Sequence, residues 1–435
     1  MSEVVVSLSE WERREPDPNT ALAGLALEDA AARALARKLS CKRKLEVLEL
    51  AQGIAIRTSS FVGRVRLGRL VVTVRPKITG MPLLTLLRYA YGLRDLDLFP
   101  STVYDSGDSA FQELLIYQLA AEVAELLARG LHREYARTPQ GLASPRGRLD
   151  FQTFARQGGI ARAELPCIHH PRLAATLINQ VLLTGLWLGV RLTDDLALRS
   201  RLRRLAKILE MDVEAIQLDA ATLAQAQRAL DRRTAAYLPA LTLIDMLLGA
   251  TGLLLDGRAA ALQLPGFLFD MNRFFQAVLA RFLQEHLSGY VVREEYRLKG
   301  MLAYVAGHNP RHRRSPQPRP DYVIQEGTRT AALLDAKYRD LWEHPLPPEM
   351  LYQLAIYALS QAPGAEAVML YPTLTAEARE ARILIRDPVH GGDRAYVVLR
   401  PVDLNCLAHL IASPIGYRYR QACVTFAHYL AFGEG

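Results

Sequence analysis

Three charged side chains between Pro320 and Tyr338 are the chain's strongest candidates for chemistry: Asp321, Asp335 and Lys337. Asp321 follows a proline and opens one apolar run; Asp335-Ala336-Lys337 closes a second, and Glu326-Gly327 between them reads as the turn of a β-hairpin. Asp335 and Lys337 are two positions apart, so their side chains leave the same face of an extended strand. Charge at the end of an apolar sheet is costly unless it has a partner. Two carboxylates, with the backbone carbonyl of Ala336 as a third oxygen, suit a hard divalent cation such as Mg²⁺. A metal held there lowers the pKa of a bound water and screens a phosphate under attack, while the ammonium orients that water or offsets charge on phosphorus. The chemistry is metal-assisted phosphodiester hydrolysis. Asp-x-Lys alone also arises as a simple strand-end ion pair; the Pro-Asp ahead of it and the two apolar strands give the pattern its weight.

A second polar pair follows. Gln353 and Tyr357 lie four apart in the helical stretch LYQLAIY, hence on one face. That face either reaches substrate phosphate or Lys337, or it packs the tyrosine in the core and leaves the glutamine in water.

The elements that must position these groups read as α/β with one mixed sheet. Phe267 to Leu287 carries apolar residues on one face of a helix, Tyr290 to Tyr296 a strand, and HNPRHRRSPQPR (308–319) a Pro-broken basic loop. After the hairpin come a helix over Pro347 to Ser360 and strands at Glu366–Tyr371, Ala381–Ile385 and Ala395–Arg400. Upstream, residues 3–8 read as a strand and Leu25 to Leu39 as a helix, with Glu28 and Asp29 early and Arg37 and Lys38 late. Leu45 to Ile78 reads as a small β-module punctuated by Gly53, Gly63 and Gly68, with Arg57, Arg64, Arg66, Arg69 and Arg75 on a solvated face. From Leu83 to Leu262 the pattern is mainly helical, and Arg199, Arg201, Arg203 and Arg204 read as a solvated helix face. GLASPRGRLDF (141–151) reads as a loop leading into a strand. Leu264-Pro265-Gly266 is the best-marked boundary. The expected fold class is multidomain α+β and α/β: a β-rich module at 1–95, a mainly helical domain at 96–264 and an α/β domain at 265–435.

The whole chain sets wider bounds. Its 435 residues, 50% hydrophobic, are enough for two or three cores. The formal charge of +8 agrees with a polyanionic partner. Cys41, Cys167, Cys406 and Cys423 are scattered with no C-x-x-C pair, which speaks against a structural zinc or iron–sulfur centre and for reduced thiols. Apolar runs fall short of a membrane span, and the first residues lack a signal-peptide layout. The expectation is a soluble, cytoplasmic protein with no membrane association. No G-x-x-x-x-G-K-[ST] loop is present, so an NTP site of that kind is not expected in this chain.

Asp321, Asp335-Ala336-Lys337 and Gln353-x-x-x-Tyr357 together resemble the PD-(D/E)xK nuclease superfamily, in the branch with a trailing Q-x-x-x-Y helix. SSFVGRVRLGRLVVTVRPKI (59–78), LLRYAYGL (86–93), PRGRLDF (145–151) and FDMNRFFQAVL (269–279) are similar to the McrC family, nuclease subunits of McrBC-type modified-cytosine restriction systems. The resemblance implies a Mg²⁺-dependent DNA endonuclease (Mn²⁺ as a substitute) working in a hetero-oligomer with an AAA+ GTPase. In that family the N-terminal part docks on the GTPase and stimulates it, and the partner reads the modified base. The basic face around Arg57 to Arg75 then becomes a candidate docking surface. One departure stands out: the family places a Glu where this chain has Gln276. Asp270 or Glu285 substitutes for it, or the site runs on Asp321 and Asp335 alone. A catalytically decayed adaptor that only activates the GTPase is the alternative that Gln276 favours. A stand-alone RecB-like repair nuclease is another, and the long region ahead of Leu264 argues against it.

Overall fold

The computed structural model describes residues 3–27, 29–93, 110–156, 164–251, 266–413 and 417–433. Glu28, Leu264, Pro265 and the expected boundary near residue 95 lie outside them. The first stretch contains β1 (Val4–Ser9), β2 (Arg13–Arg14), α1 (Ala30–Cys41), β3 (Leu45–Leu50), β4 (Gly53–Thr58), β5 (Phe61–Leu67), β6 (Leu70–Arg75) and α2 (Gly80–Tyr91). The middle contains α3 (Ala110–Arg129), β7 (Glu134–Tyr135), β8 (Thr138–Leu142), β9 (Arg148–Leu149), α4 (Phe151–Arg156), β10 (Leu165–His169), β11 (Arg172–Leu173), α5 (Leu177–Leu192), α6 (Leu196–Glu210), α7 (Ala220–Arg228) and α8 (Leu238–Thr251). The last part contains β12 (Gly266–Asp270), α9 (Met271–His286), β13 (Val291–Glu294), β14 (Tyr322–Glu326), β15 (Arg329–Ala336), α10 (Pro348–Leu359), β16 (Glu366–Thr373), β17 (Ala381–Arg386), β18 (Asp393–Asp403), α11 (Leu404–Ala412) and α12 (Tyr417–Phe432).

The chain forms two compact units rather than three consecutive domains. Described residues up to 93 and from 268 onward make one; residues 111–251 belong to the other. The N-terminal module and the C-terminal region join because a four-stranded sheet in the order β1-β6-β5-β12 draws strands from both. β12 also corrects the expected helix over Phe267 to Leu287. Its Phe-Leu-Phe run is strand, and the helix starts only after Asp270, whose carboxylate accepts from the backbone N–H of Asn272 (3.0 Å) and Arg273 (3.4 Å). The expected arginine face divides as well. Arg64, Arg66 and Arg75 belong to the β5–β6 pair, but Arg57 sits on β4 in a separate sheet of order β2-β4-β3.

In the second unit, helices α5 to α8 pack on one another, and Gly185 of α5 lies against α8. A Cβ there would stand 2.4 Å from Ile244 Cδ1, so a larger residue would force the Ile244 side chain of α8 to shift. The loop within 141–151 leads into β9 as expected, but that strand is two residues long and gives way to α4, where Asp150 accepts from Thr153 N–H and starts a helical turn. Among the described residues this unit also has a three-stranded antiparallel sheet in the order β8-β10-β9.

The sheet that carries the candidate site has six strands in the order β13-β14-β15-β16-β18-β17. β14 and β15 form the antiparallel hairpin, with Gly327 at φ +59 in its turn, the left-handed region that a glycine enters at least cost. β15, β16 and β18 run parallel, and β17 closes the far edge antiparallel. Alternation along the strands divides the neighbours. Val323, Leu333, Met369, Val397 and Leu399 form a core with Leu354, Tyr357 and Ala358 of α10. On the other side Tyr322 donates its hydroxyl to the Gln276 carbonyl of α9 (2.6 Å). The strands that Glu366, Ala381 and Ala395 were expected to anchor are all present, as is the α10 helix. Among the described residues no helix is long and apolar enough to cross a membrane, and all four cysteines are free.

Candidate active site

The site forms where β15 ends. Leu333 faces the α10 core, so Asp335, two positions on, faces the same way, and it is buried to 1% exposure. Asp321 lies immediately before β14. Its Oδ2 accepts the backbone N–H of Ala336 at 2.8 Å, which fixes the first carboxylate to the strand carrying the second. Lys337 stands just past the strand, its backbone N–H donated to Leu370 O (3.0 Å) and its Nζ 3.4 Å from Asp335 Oδ2. That contact is an ion pair without hydrogen-bond geometry, and Asp335 Oδ2 remains a buried oxygen with no hydrogen-bond donor.

Helix α10 supplies the next layer. Gln353 Nε2 donates to the Tyr357 hydroxyl (2.9 Å) and points at Asp335 Oδ1 (3.4 Å). The hydrogen-bonded pair therefore reaches Asp335. Tyr357 is also a buried core residue, as the packing reading expected, while its hydroxyl accepts from Gln353. From α9, Gln276 Nε2 lies 3.4 Å from the Ala336 carbonyl. Asp270 and Glu285 do not take the place of Gln276. Asp270 caps α9, and Glu285 accepts from the Tyr89 hydroxyl (2.6 Å) and pairs with Arg281 (2.7 Å).

Electrostatics follow from this packing. Burial first, and the Asp321 carboxylate second, push Asp335 up to about 7, against the opposing pull of Lys337. Burial alone would lower the Lys337 ammonium, but Asp335 and Asp321 together hold it above its usual range. Burial raises the Tyr357 phenol, and Gln353's hydrogen bond opposes the rise. A buried carboxylate and a part-buried one beside a single cation are a poor structural arrangement and a good one for a divalent cation. The donor set is all oxygen: Asp321, Asp335 and the Ala336 carbonyl. Among the described residues no group of three or more His, Cys, Asp or Glu side chains gathers anywhere, so two carboxylates are what the site has. Mg²⁺ commonly binds through one or two carboxylates and keeps several waters. The residues fit.

The sequence matches the family described as the McrBC 5-methylcytosine restriction system component over residues 56–372. The chain belongs to that family. The match runs from β4 through β16, and so includes Asp321, Asp335, Lys337, Gln353 and Tyr357. The fold agrees: a refined half-complex from the tetradecameric assembly of Thermococcus gammatolerans McrB AAA+ hexamers with bound McrC contains a chain of similar fold, with TM-score 0.65 and 18% identity, covering 97% of this chain and 100% of that one. A cryo-EM structure of the Thermococcus gammatolerans McrBC complex matches with TM-score 0.48 and 20% identity over 67% of this chain and 90% of that one. No curated protein matches.

Two contributors were not foreseen from sequence. Asn272 accepts the Tyr338 backbone N–H (2.8 Å), and Trp11 donates its indole N–H to the Tyr338 carbonyl (2.9 Å). Both fix the residue after Lys337, and neither carries a sequence signal tying it to the hairpin.

Proposed function

We propose that this chain is the Mg²⁺-dependent DNA endonuclease subunit of an McrBC-type restriction complex, with a PD-(D/E)xK nuclease domain around the six-stranded sheet. The observation that carries this reading is Asp335: a fully buried carboxylate with an orphaned oxygen, tied through Ala336 to Asp321 and flanked by Lys337. When bound, Mg²⁺ supplies a water of lowered pKa and a counter-charge for the scissile phosphate. Asp321, Asp335 and the Ala336 carbonyl would hold it. The chain's own residues do the rest. Gln353 orients Asp335 and is itself oriented by Tyr357. Lys337, kept protonated by both carboxylates, stands ready to position the attacking water or neutralise charge on phosphorus. The McrB AAA+ hexamers with bound McrC in the related assembly support an AAA+ partner; that this partner is a GTPase, docked on the N-terminal β-module and stimulated by it, is part of the proposal.

The test is Asp335→Ala with the partner present. DNA cleavage is expected to vanish while partner binding and GTPase stimulation persist; continued cutting would overturn the site. Gln276 favours the second reading, an adaptor whose nuclease site has decayed. Calorimetric titration with Mn²⁺ separates the two: the nuclease shows binding that depends on Asp321, and the adaptor shows none.

A further inference from the structure

Between Glu295 and Asp321 the chain carries no acidic residue, and it places six cations there: Arg297, Lys299, Arg311, Arg313, Arg314 and Arg319. The formal charge of the whole protein is +8, so this connection between β13 and β14 holds a large share of the excess. Arg319 pairs with Glu295 at the base of the loop. The other five are exposed and make no ion pair with any described residue. Isolated surface cations are ordinary; five in one acid-free connection, none neutralised by the fold, leave a concentrated positive field.

The loop is shaped at both ends. Its base closes through Leu298 N–H to Pro318 O (2.9 Å) and Glu295 N–H to Asp321 O (2.8 Å), so it rises from the backbone of a candidate metal ligand. Its tip is a formed turn. Asn309 Nδ2 donates to Arg313 O (2.8 Å), Arg313 N–H returns to Asn309 Oδ1 (2.9 Å), and His312 turns through the left-handed region at φ +46. Pro310, Pro316, Pro318 and Pro320 restrict the remainder. Arginines presented on the turn of a loop rooted at Asp321 suit bidentate contact with phosphate oxygens.

We propose that this loop grips the phosphate backbone of duplex DNA and leads it to the carboxylates at the end of β15. The proposal rests on the nuclease reading for its ligand. DNA is favoured over an acidic protein because the loop's base is Asp321 itself, and the ligand that must pass there carries a regular row of phosphates. Backbone contacts position without reading bases, so the grip is independent of sequence and of base modification.

The full chain, in EDTA so that no cleavage intervenes, is titrated into a fluorescently labelled duplex at several salt concentrations. Relative to wild type, Arg311→Ala/Arg313→Ala/Arg314→Ala is expected to weaken binding about 10- to 100-fold near physiological salt and to lower the log K against log[salt] slope by about 2.7, roughly 0.9 per lost phosphate contact. Replacing the exposed α6 cations Arg203, Arg204 and Lys207 by alanine removes the same charge elsewhere and is expected to leave the slope unchanged. Equal slopes for wild type and the loop variant overturn the proposal. So does a loop variant that loses AAA+ partner binding but keeps its DNA affinity. Wild-type chain that shows the loop-dependent slope yet never cuts with Mn²⁺ and partner supports the grip and refutes the nuclease reading.

Discussion

Trp11 and Tyr338 are 327 positions apart, and the indole Nε1 of the first donates to the backbone carbonyl of the second at 2.9 Å. Tyr338 directly follows Lys337. Its N–H is held by Asn272, which in turn donates to Ser60 Oγ (2.7 Å), and its ring meets Phe275 edge-on at 6.0 Å. The Arg339 guanidinium lies 5.3 Å from the Trp11 ring. Trp11 itself sits at φ +60, a conformation costly for an aromatic residue and kept only where its contacts repay it. The N-terminal segment and the helix following β12 thus hold both backbone groups of the residue that sets where Lys337 stands.

Trp11→Phe keeps an aromatic ring but deletes the pyrrole half of the indole and with it the donor. The part-buried carbonyl of Tyr338 then loses its partner, at a cost of about 1–3 kcal/mol. Displacing a positioned group by about 1 Å can slow chemistry on the order of 100-fold. Single-turnover cleavage is expected to fall about 10- to 100-fold with DNA affinity unchanged, and urea denaturation should show the loss of stability. Unchanged rate and stability would refute the link.

Glu10 gives a pH dependence. It is 2% exposed, both carboxylate oxygens lack hydrogen-bond partners, and it lines a small cavity with Trp11, Lys77, Tyr338 and Asp340. Burial pushes its carboxyl up to about 8 from 4.5, with Lys77 and Tyr338 opposing. The unfolded chain releases this proton first, so Glu10 costs nothing below pH 4.5. The penalty grows as pH rises toward 8 and is constant above it. Glu10→Gln should match wild type near pH 4 and exceed it by about 2–4 kcal/mol near pH 9. Thermal melts across that range check the sign; a gain that is the same at both ends would defeat it.

Asp335→Asn removes a carboxylate whose folded pKa is raised, so its penalty accumulates between about pH 4 and 7. In EDTA at pH 8 the variant is expected to be more stable than wild type by roughly 1–3 kcal/mol, and calorimetry should show no Mn²⁺ binding. A less stable Asn variant would mean that Asp335 is a structural ion-pair partner of Lys337 first.

Gln276→Glu places a third carboxylate 3.4 Å or so from the Ala336 carbonyl, the position the amide now takes. Hard divalent cations gain from each added charged oxygen. Mn²⁺ affinity should rise about 10-fold at pH 8, and metal-free stability should drop because buried Asp335 and two part-buried carboxylates repel one another. Isothermal titration and melts in EDTA read both effects; no gain in affinity would show that α9 does not reach the metal.

What the sequence by itself determined is local. Asp321, Asp335 and Lys337 belong to one hairpin, so turn chemistry at Gly327 and two-residue periodicity were enough to bring them together, and four-residue spacing was enough to place Gln353 beside Tyr357. The arginine-rich, acid-free connection was equally legible. Tertiary structure decided everything that depends on distant segments. Phe267-Leu268-Phe269 suits a helix or a strand equally well by composition, and only the neighbouring β5, some two hundred residues earlier, makes it a strand. Arg57 parted from Arg64 and Arg66 because two sheets, not one, form in that module. Asp270 and Glu285 were equal candidates for the metal until a helix cap claimed one and Tyr89 and Arg281 the other. No pattern within a window of residues could say that Trp11 would meet Tyr338, since that contact exists only after the N-terminal strands and the six-stranded sheet have packed into the same unit.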